Sequence, residues 1–179
     1  MSTSHNITFT RLARSIARRL GAGCDFVLRL FLSATLACSP LSLRADGPTG
    51  TVVAGDATFR HEGNYTGITA ANNTIIEYSQ FNILAGQTVE FIQPNAASRV
   101  LNRVTGADPS SLLGTLRANG IVYFVNPAGI YFGQNAVIDV GQIYAAGGSL
   151  SNSDFLARND NFTRLTGQVH NAGSISAEA

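Results

Sequence analysis

The sequence has no tryptophan and no lysine, one methionine and two cysteines, and only 13% of its residues are charged. Each shortage excludes something. Both cysteines, Cys24 and Cys38, lie in the first 45 residues. The remainder therefore has no disulfide, no thiol nucleophile and no cysteine-based metal site. Such a chain must hold itself together by burial and backbone pairing, and it stays free of early cross-links while unfolded. With lysine absent, all twelve basic residues are arginine, and six of them (Arg11, Arg14, Arg18, Arg19, Arg29 and Arg44) precede Asp46. From Asp46 onward six arginines face ten acids, a net charge of about −4 by direct count. Dispersed arginines on a weakly acidic body exclude a nucleic-acid groove, which needs clustered positive charge to displace counterions. Long helical periodicity is missing after residue 45. What is plentiful is Gly, Asn, Ser and Thr, the composition of a β-rich chain with many turns.

Residues 1–45 read as a signal peptide with an extended n-region. Arg11 to Arg19 supply the positive charge. Phe26 to Cys38 is an apolar run too short to span a bilayer comfortably, and Arg29 interrupts it. Ser39-Pro40 breaks the run, and Leu43-Arg44-Ala45 places a small residue at a cleavage point after Ala45. The rival readings fit less well. Thr35-Leu36-Ala37-Cys38 lacks the leucine that a lipobox wants at its first place, Arg18-Arg19 lacks the rest of a twin-arginine signal, and a single membrane anchor would need a longer apolar run.

Residues 46–179 read as one domain. Its centre is the stretch Asn119 to Val140, where the apolar runs Ile121–Val125 and Ile130–Phe132 are joined by Asn126-Pro127-Ala128-Gly129 and followed by Ala136–Val140. The joint fits a type I turn: Asn at the first place can bond its own backbone, Pro presets φ at the second, and Gly suits the fourth. Further strands are expected at Thr51–Gly55, Ala57–Arg60, Thr74–Tyr78, Thr88–Ile92 and Arg99–Val104. Ser79 to Ile83 continues Thr74–Tyr78 by alternation, with Phe81 and Ile83 on one side and Gln80 and Asn82 on the other. Ser153 to Ala157 is expected to form one helical turn capped by Ser153. Val169 to Ile175 resembles Asn126 to Ile130 in its order of Asn, small residue, Gly and Ile.

Strands of about five residues between Gly/Asn turns fit a sandwich or a parallel β-helix. The continuous apolar runs favour the helix, with roughly 20–25 residues per coil and about five or six coils. The chain stops at Ala179, directly after a new turn, so the helix is expected to be incomplete there.

Candidate chemistry is sparse. His61 and His170 lack ligand spacing, so no metal is expected. Asp56, Asp139, Asp154 and Glu90 are single carboxylates, whereas a β-helix polysaccharide lyase would gather acids around an arginine. Ser110-Ser111 has no nucleophile-elbow context. No phosphate loop is present, and no catalytic residue or cofactor is expected.

Taken in order, the motifs resemble the amino-terminal two-partner-secretion (haemagglutination activity) domain of filamentous-haemagglutinin-like exoproteins. The matching pieces are Val52-Val53-Ala54-Gly55, Ser79 to Ile83 with Gly86 and Val89-Glu90-Phe91, Gln93-Pro94, Val100 to Gly106, Leu113 to Leu116, Ala118-Asn119-Gly120, Asn126 to Ile130, and Phe132-Gly133 through Ala136 to Gly141. The resemblance implies a right-handed parallel β-helix. It implies a non-enzymatic domain that directs an adhesin-type exoprotein to a partner outer-membrane β-barrel transporter, through that transporter's periplasmic domains. It also implies export by the inner-membrane translocon, passage through the periplasm of a diderm bacterium, and secretion or surface display. Cargo beyond this chain would meet host or matrix glycans or proteins. The expected recognition motif is Asn126, Pro127, Ala128, Gly129 and Ile130, with a secondary motif at Asn102, Arg103, Asn119 and Gly120. Two positions depart from the family: Ala128 stands where Asn is usual, and Tyr78 where Trp is common. The alternatives read from the residues are a carbohydrate-active β-helix enzyme and a stand-alone glycan-binding surface protein.

Overall fold

Residues 47–178 are described in this computed structural model; the leader and the cleavage point after Ala45 lie outside them. The strands are β1 (Thr51–Ala54), β2 (Ala57–Glu62), β3 (Tyr65–Ala70), β4 (Thr74–Tyr78), β5 (Thr88–Ile92), β6 (Arg99–Val104), β7 (Ser110–Leu112), β8 (Thr115–Val125), β9 (Ile130–Phe132), β10 (Val137–Ala146), β11 (Val169–Asn171) and β12 (Ser174–Ala177). One short helix, α1 (Asn152–Leu156), lies between β10 and β11.

The parallel registers define three faces. On the first, Tyr65 of β3 lies opposite Thr88 of β5, Thr88 opposite Thr115 of β8, Thr115 opposite Val137 of β10, and Val137 opposite Ser174 of β12. On the second, Ile75 of β4, Leu101 of β6, Tyr123 of β8 and Tyr144 of β10 form one row. The third carries β7, β9 and β11, extended by a parallel bridge from Ile83 to Leu112. The long strands β8 and β10 each serve two faces, bending at Asn119-Gly120 and at Gly141, where their pairing slips. A chain that visits three faces in turn and returns parallel to itself is a parallel β-helix.

About four coils are present rather than five or six, with β11 and β12 opening another. Two segments account for the difference. Residues 51–62 form an antiparallel cap, β1 on β4 and β2 on β3, which pairs the ladder edge that the first coil would otherwise expose. Residues 147–168 leave the helix altogether. The strand β3 was not expected, because Gly67 dilutes its pattern; the glycine lets the Tyr65 ring lie over the backbone, where a Cβ would meet it at 3.1–3.2 Å.

The inner core is built by alternation. Ile68, Ile76, Val89, Phe91, Val100, Leu116, Val122, Phe124, Ile138 and Val140 point inward from the first two faces, and Phe81, Ile83, Leu112, Ile130 and Phe132 from the third. Phe81 meets Tyr78 and Phe124 edge-on, with centroids 4.9 and 4.8 Å apart. Each such side chain contributes about 1.5–3 kcal/mol by leaving water. The inward placing of Phe81 and Ile83 matches the sequence expectation, although β4 ends at Tyr78 and these residues lie beyond it.

A second, outer core covers the second face. Ile75, Leu101, Tyr123 and Val125 point away from the helix interior and pack beneath Leu150, Phe155 and Phe162 of the 147–168 excursion. Tyr123 stacks on Tyr144 at 4.3 Å and meets Phe155 edge-on at 5.2 Å. The helix α1 is capped by Ser151 rather than Ser153: Ser151 Oγ accepts from the Asp154 amide at 3.0 Å. The feet of the excursion are tight, since a Cβ on Gly147 would lie 2.1 Å from the Gly167 carbonyl oxygen. Ile121–Val125 is continuously apolar because both of its sides are covered, one by the inner core and one by the excursion.

Candidate functional site

The turn after β8 is locked from three directions. Its own bonds close it: the Gly129 amide donates to the Asn126 carbonyl at 3.0 Å, and the Ala128 amide donates to Asn126 Oδ1 at 2.9 Å. From the preceding coil, the Asp108 carbonyl and Ser110 Oγ accept from Asn126 Nδ2 at 3.1 and 3.0 Å. From the following segment, Thr166 Oγ1 donates to the Pro127 carbonyl at 3.1 Å, and the Ile130 amide donates to the Gln168 carbonyl at 2.9 Å. Gly129 has φ +118°, a backbone only glycine adopts without strain, and a Cβ there would lie 2.9 Å from the Gln168 carbonyl oxygen.

The consequence for recognition is direct. Asn126 is 0% exposed and Ile130 2%. Gly129 is also buried, so only Pro127 and Ala128 remain partly open. Both polar atoms of the Asn126 side chain are spent inside the fold. The accessible tip is an apolar Pro-Ala pair with no titratable or nucleophilic group. This turn presents shape, not chemistry.

The secondary motif is mixed: Asn102 and Gly120 are buried, Arg103 is half-buried, and Asn119 is exposed although its amide is fully paired. Asn102 is buried and bridges two coils, accepting from the Tyr78 hydroxyl at 3.1 Å and donating to the Tyr123 carbonyl at 3.3 Å. Arg103 donates to Glu77 Oε1 at 2.8 Å, to the Leu150 carbonyl at 2.7 Å and to Asn152 Oδ1 at 2.6 Å, pinning the excursion to the second face. Asn119 accepts from the Gln93 amide and donates to the Gln93 carbonyl, both at 2.7 Å, so its side chain replaces a pair of ladder bonds at the corner. Gly120 fits against that corner, where a Cβ would lie 2.7 Å from Gln93 Oε1 and 2.8 Å from the Ser98 carbonyl oxygen. Burial pushes the Tyr78 hydroxyl well above its ordinary range. Tyr123 is raised by burial first and then by its 3.0 Å bond to Asp160.

The remaining candidates are placed as follows. His61 Nδ1 lies 3.1 Å from Thr66 Oγ1 on the capped first face, while His170 stacks on Tyr131 of the third, with centroids 5.5 Å apart and planes 6° from parallel. Among the described residues no three His, Cys, Asp or Glu side chains converge as a metal site. Asp56 and Asp154 lie elsewhere in the fold, but Glu90 and Asp139 fall on either side of Arg117 in one row of the first face. That row lies on an open sheet, and the Glu90 carboxylate is engaged by the Tyr65 hydroxyl at 2.7 Å, which raises the tyrosine's pKa.

Sequence reasoning missed Thr166 and Gln168, which clamp the turn. The likeness of Val169–Ile175 to Asn126–Ile130 is one of local chemistry, not of register. Val169 lies opposite Ile130 and Ser174 opposite Val137, so the Asn171 turn corresponds to the one between Phe132 and Val137, not to Asn126–Gly129. The local chemistry does repeat, since the Gly173 amide donates to Asn171 Oδ1 at 3.0 Å, as Ala128 does to Asn126.

A motif set whose side chains are spent on bracing the corners and coils of a three-faced parallel β-helix is the mark of a fold-defining domain. A family model described as the TPS secretion domain matches residues 45–179. A heme/hemopexin-binding protein of Haemophilus influenzae (strain ATCC 51907 / DSM 11121 / KW20 / Rd) is 37% identical over 121 residues, 66% of this chain and 13% of that protein. Another Haemophilus influenzae heme/hemopexin-binding protein is 36% identical over 91 residues, 51% of this chain and 10% of that protein. The crystal structure of the HMW1 secretion domain from Haemophilus influenzae matches with a TM-score of 0.69 at 36% identity, over 72% of this chain and 36% of that one. The chain belongs to the TPS secretion-domain family, the secretion domains of exoproteins that leave the cell by the two-partner route. It spans about a tenth of the length of the curated relatives it matches.

Proposed function

We propose that residues 46–179 direct an adhesin-type exoprotein to a partner outer-membrane β-barrel transporter, engage its periplasmic domains, and start β-helix folding outside the cell. On this reading the leader, cut after Ala45, delivers the chain through the inner-membrane translocon to the periplasm. The observation that carries the reading is the burial of Asn126, which the family motif centres on. A side chain with no exposed atom in the folded coil is available to a transporter only before that coil forms. The motif therefore acts on the unfolded chain, or it acts by closing the coil and holding the exported segment outside. Burial and ladder bonds then accrue coil by coil and oppose return. Engagement of the unfolded segment by strand addition to a periplasmic domain fits this order of events.

Secretion with the co-expressed transporter tests it. Deleting Asn126–Ile130 should abolish export, and unchanged export would sink the proposal. Ala128→Asn restores the usual family residue at the partly open tip and should leave export as it is; a clear rise would mean that the transporter reads the amide. A second reading, direct glycan binding, draws on the exposed Tyr131–His170 stack, a flat surface of the kind sugar rings pack against. Glycan-array binding that is lost in Tyr131→Ala would favour it.

A further inference from the structure

The corner at Asn119-Gly120 combines two requirements that are chemically at odds. Packing demands glycine at 120, because any Cβ would collide with Gln93 and the Ser98 carbonyl, and the carbonyl of Gly120 in turn lies 2.9 Å from where a Cβ on Gly141 would sit. Pairing demands an amide at 119, because one acceptor and one donor must meet the Gln93 amide and carbonyl together. Asparagine followed by glycine is also the dipeptide most open to attack by the next backbone nitrogen on the side-chain carbonyl, since glycine offers no side chain to shield that nitrogen and little resistance to the rotation required. This is the single Asn-Gly pair in the chain.

We propose that Asn119 is a deamidation site whose reactivity is set by folding: held in place by its two bonds to Gln93 at a solvent-exposed corner, and labile in the unfolded chain. In the reaction the Gly120 backbone nitrogen bonds to Cγ of Asn119 and loses its proton, ammonia leaves, and a succinimide forms. Water then opens the ring to aspartate or isoaspartate. In the folded coil Oδ1 and Nδ2 of Asn119 are both held by Gln93 of the preceding coil, so Cγ cannot swing back onto its own chain until two hydrogen bonds open. Once formed, the product does not fit. A carboxylate still accepts from the Gln93 amide, but it sets a second oxygen against the Gln93 carbonyl, where the lost –NH2 had donated. Isoaspartate adds a backbone atom and shifts the register of β8 against both neighbours. The corner thus registers time spent unfolded, irrespective of how the chain is exported.

The test incubates the purified chain in mildly alkaline buffer, folded in one arm and in guanidinium chloride in the other, followed by proteolysis and mass spectrometry of the peptide that begins at Ala118. Asn119 is expected to convert at least roughly tenfold faster in the denaturant arm, as two opened hydrogen bonds imply. Equal rates in the two arms overturn the protection. Asn119→Asp installs the hydrolysed side chain directly and should lower Tm or prevent folding. An Asn119→Asp chain that melts with the wild type overturns the claim that the product is excluded.

Discussion

The inner and outer cores use the same side-chain chemistry but different architecture. The inner core is enclosed by three faces, and every coil adds to it. The outer core lies on one face only, between Tyr123, Tyr144 and their row and a single excursion that crosses them once. Losing one inner residue disturbs stacked neighbours above and below. Losing one outer residue leaves the excursion free to lift away while the coils remain. The inner core therefore sets global stability, and the outer core sets the stability of a local unit.

The sharpest test pairs two phenylalanines that are each 1% exposed. Phe124→Ala should lower the unfolding free energy by about 3–5 kcal/mol in chemical denaturation. Phe155→Ala should instead open residues 147–168 to limited proteolysis while the main transition moves much less. Equal, cooperative losses in both variants would abolish the distinction between the cores. Asn126→Ala comes next, at about 1–3 kcal/mol, because Asp108, Ser110 and the Ala128 amide lose their partner in a closed corner; the same variant then shows whether reduced export tracks reduced stability. Arg103→Met should cost about 1–2 kcal/mol, expressed mainly as faster cleavage of the excursion, since it releases the Leu150 carbonyl and Asn152. Ala128→Asn is expected to change stability by less than about 0.5 kcal/mol, because the tip is partly open and the Ala128 contact used by the turn is its backbone amide.

The legible parts of the fold were those governed by local rules. The alternation in Thr88–Ile92 announced β5, and the inward placing of Phe81 and Ile83 followed from the same period even beyond the end of β4. The Asn126 turn was readable because Asn, Pro and Gly each answer a backbone requirement. The apolar run Ile121–Val125 reads locally as a strand stacked coil on coil, whereas it reports a second covering layer that no local pattern contains. The partners of Asn126, Asn102 and Asn119 lie sixteen to twenty-six residues away. The roles of Asn126 and Asn102 as inward braces, and of Asn119 as a clamp at an exposed corner, are not legible from spacing alone. The excursion is not legible locally, because Gly147 is closed by Gly167, twenty residues further on.

That closure has a consequence for how the domain can change. With Gly147 and Gly167 packed backbone to backbone, the excursion leaves and rejoins the coils through one narrow neck, and its far end at Arg158-Asn159 faces solvent. Loop-closure entropy grows slowly with length, by about 0.6 kcal/mol per doubling. Sequence added near the exposed Arg158-Asn159 would therefore reach solvent without shifting the register of β11 on β9. The neck makes this corner a port through which a rigid, repetitive scaffold can accept new surface while its stacking stays fixed.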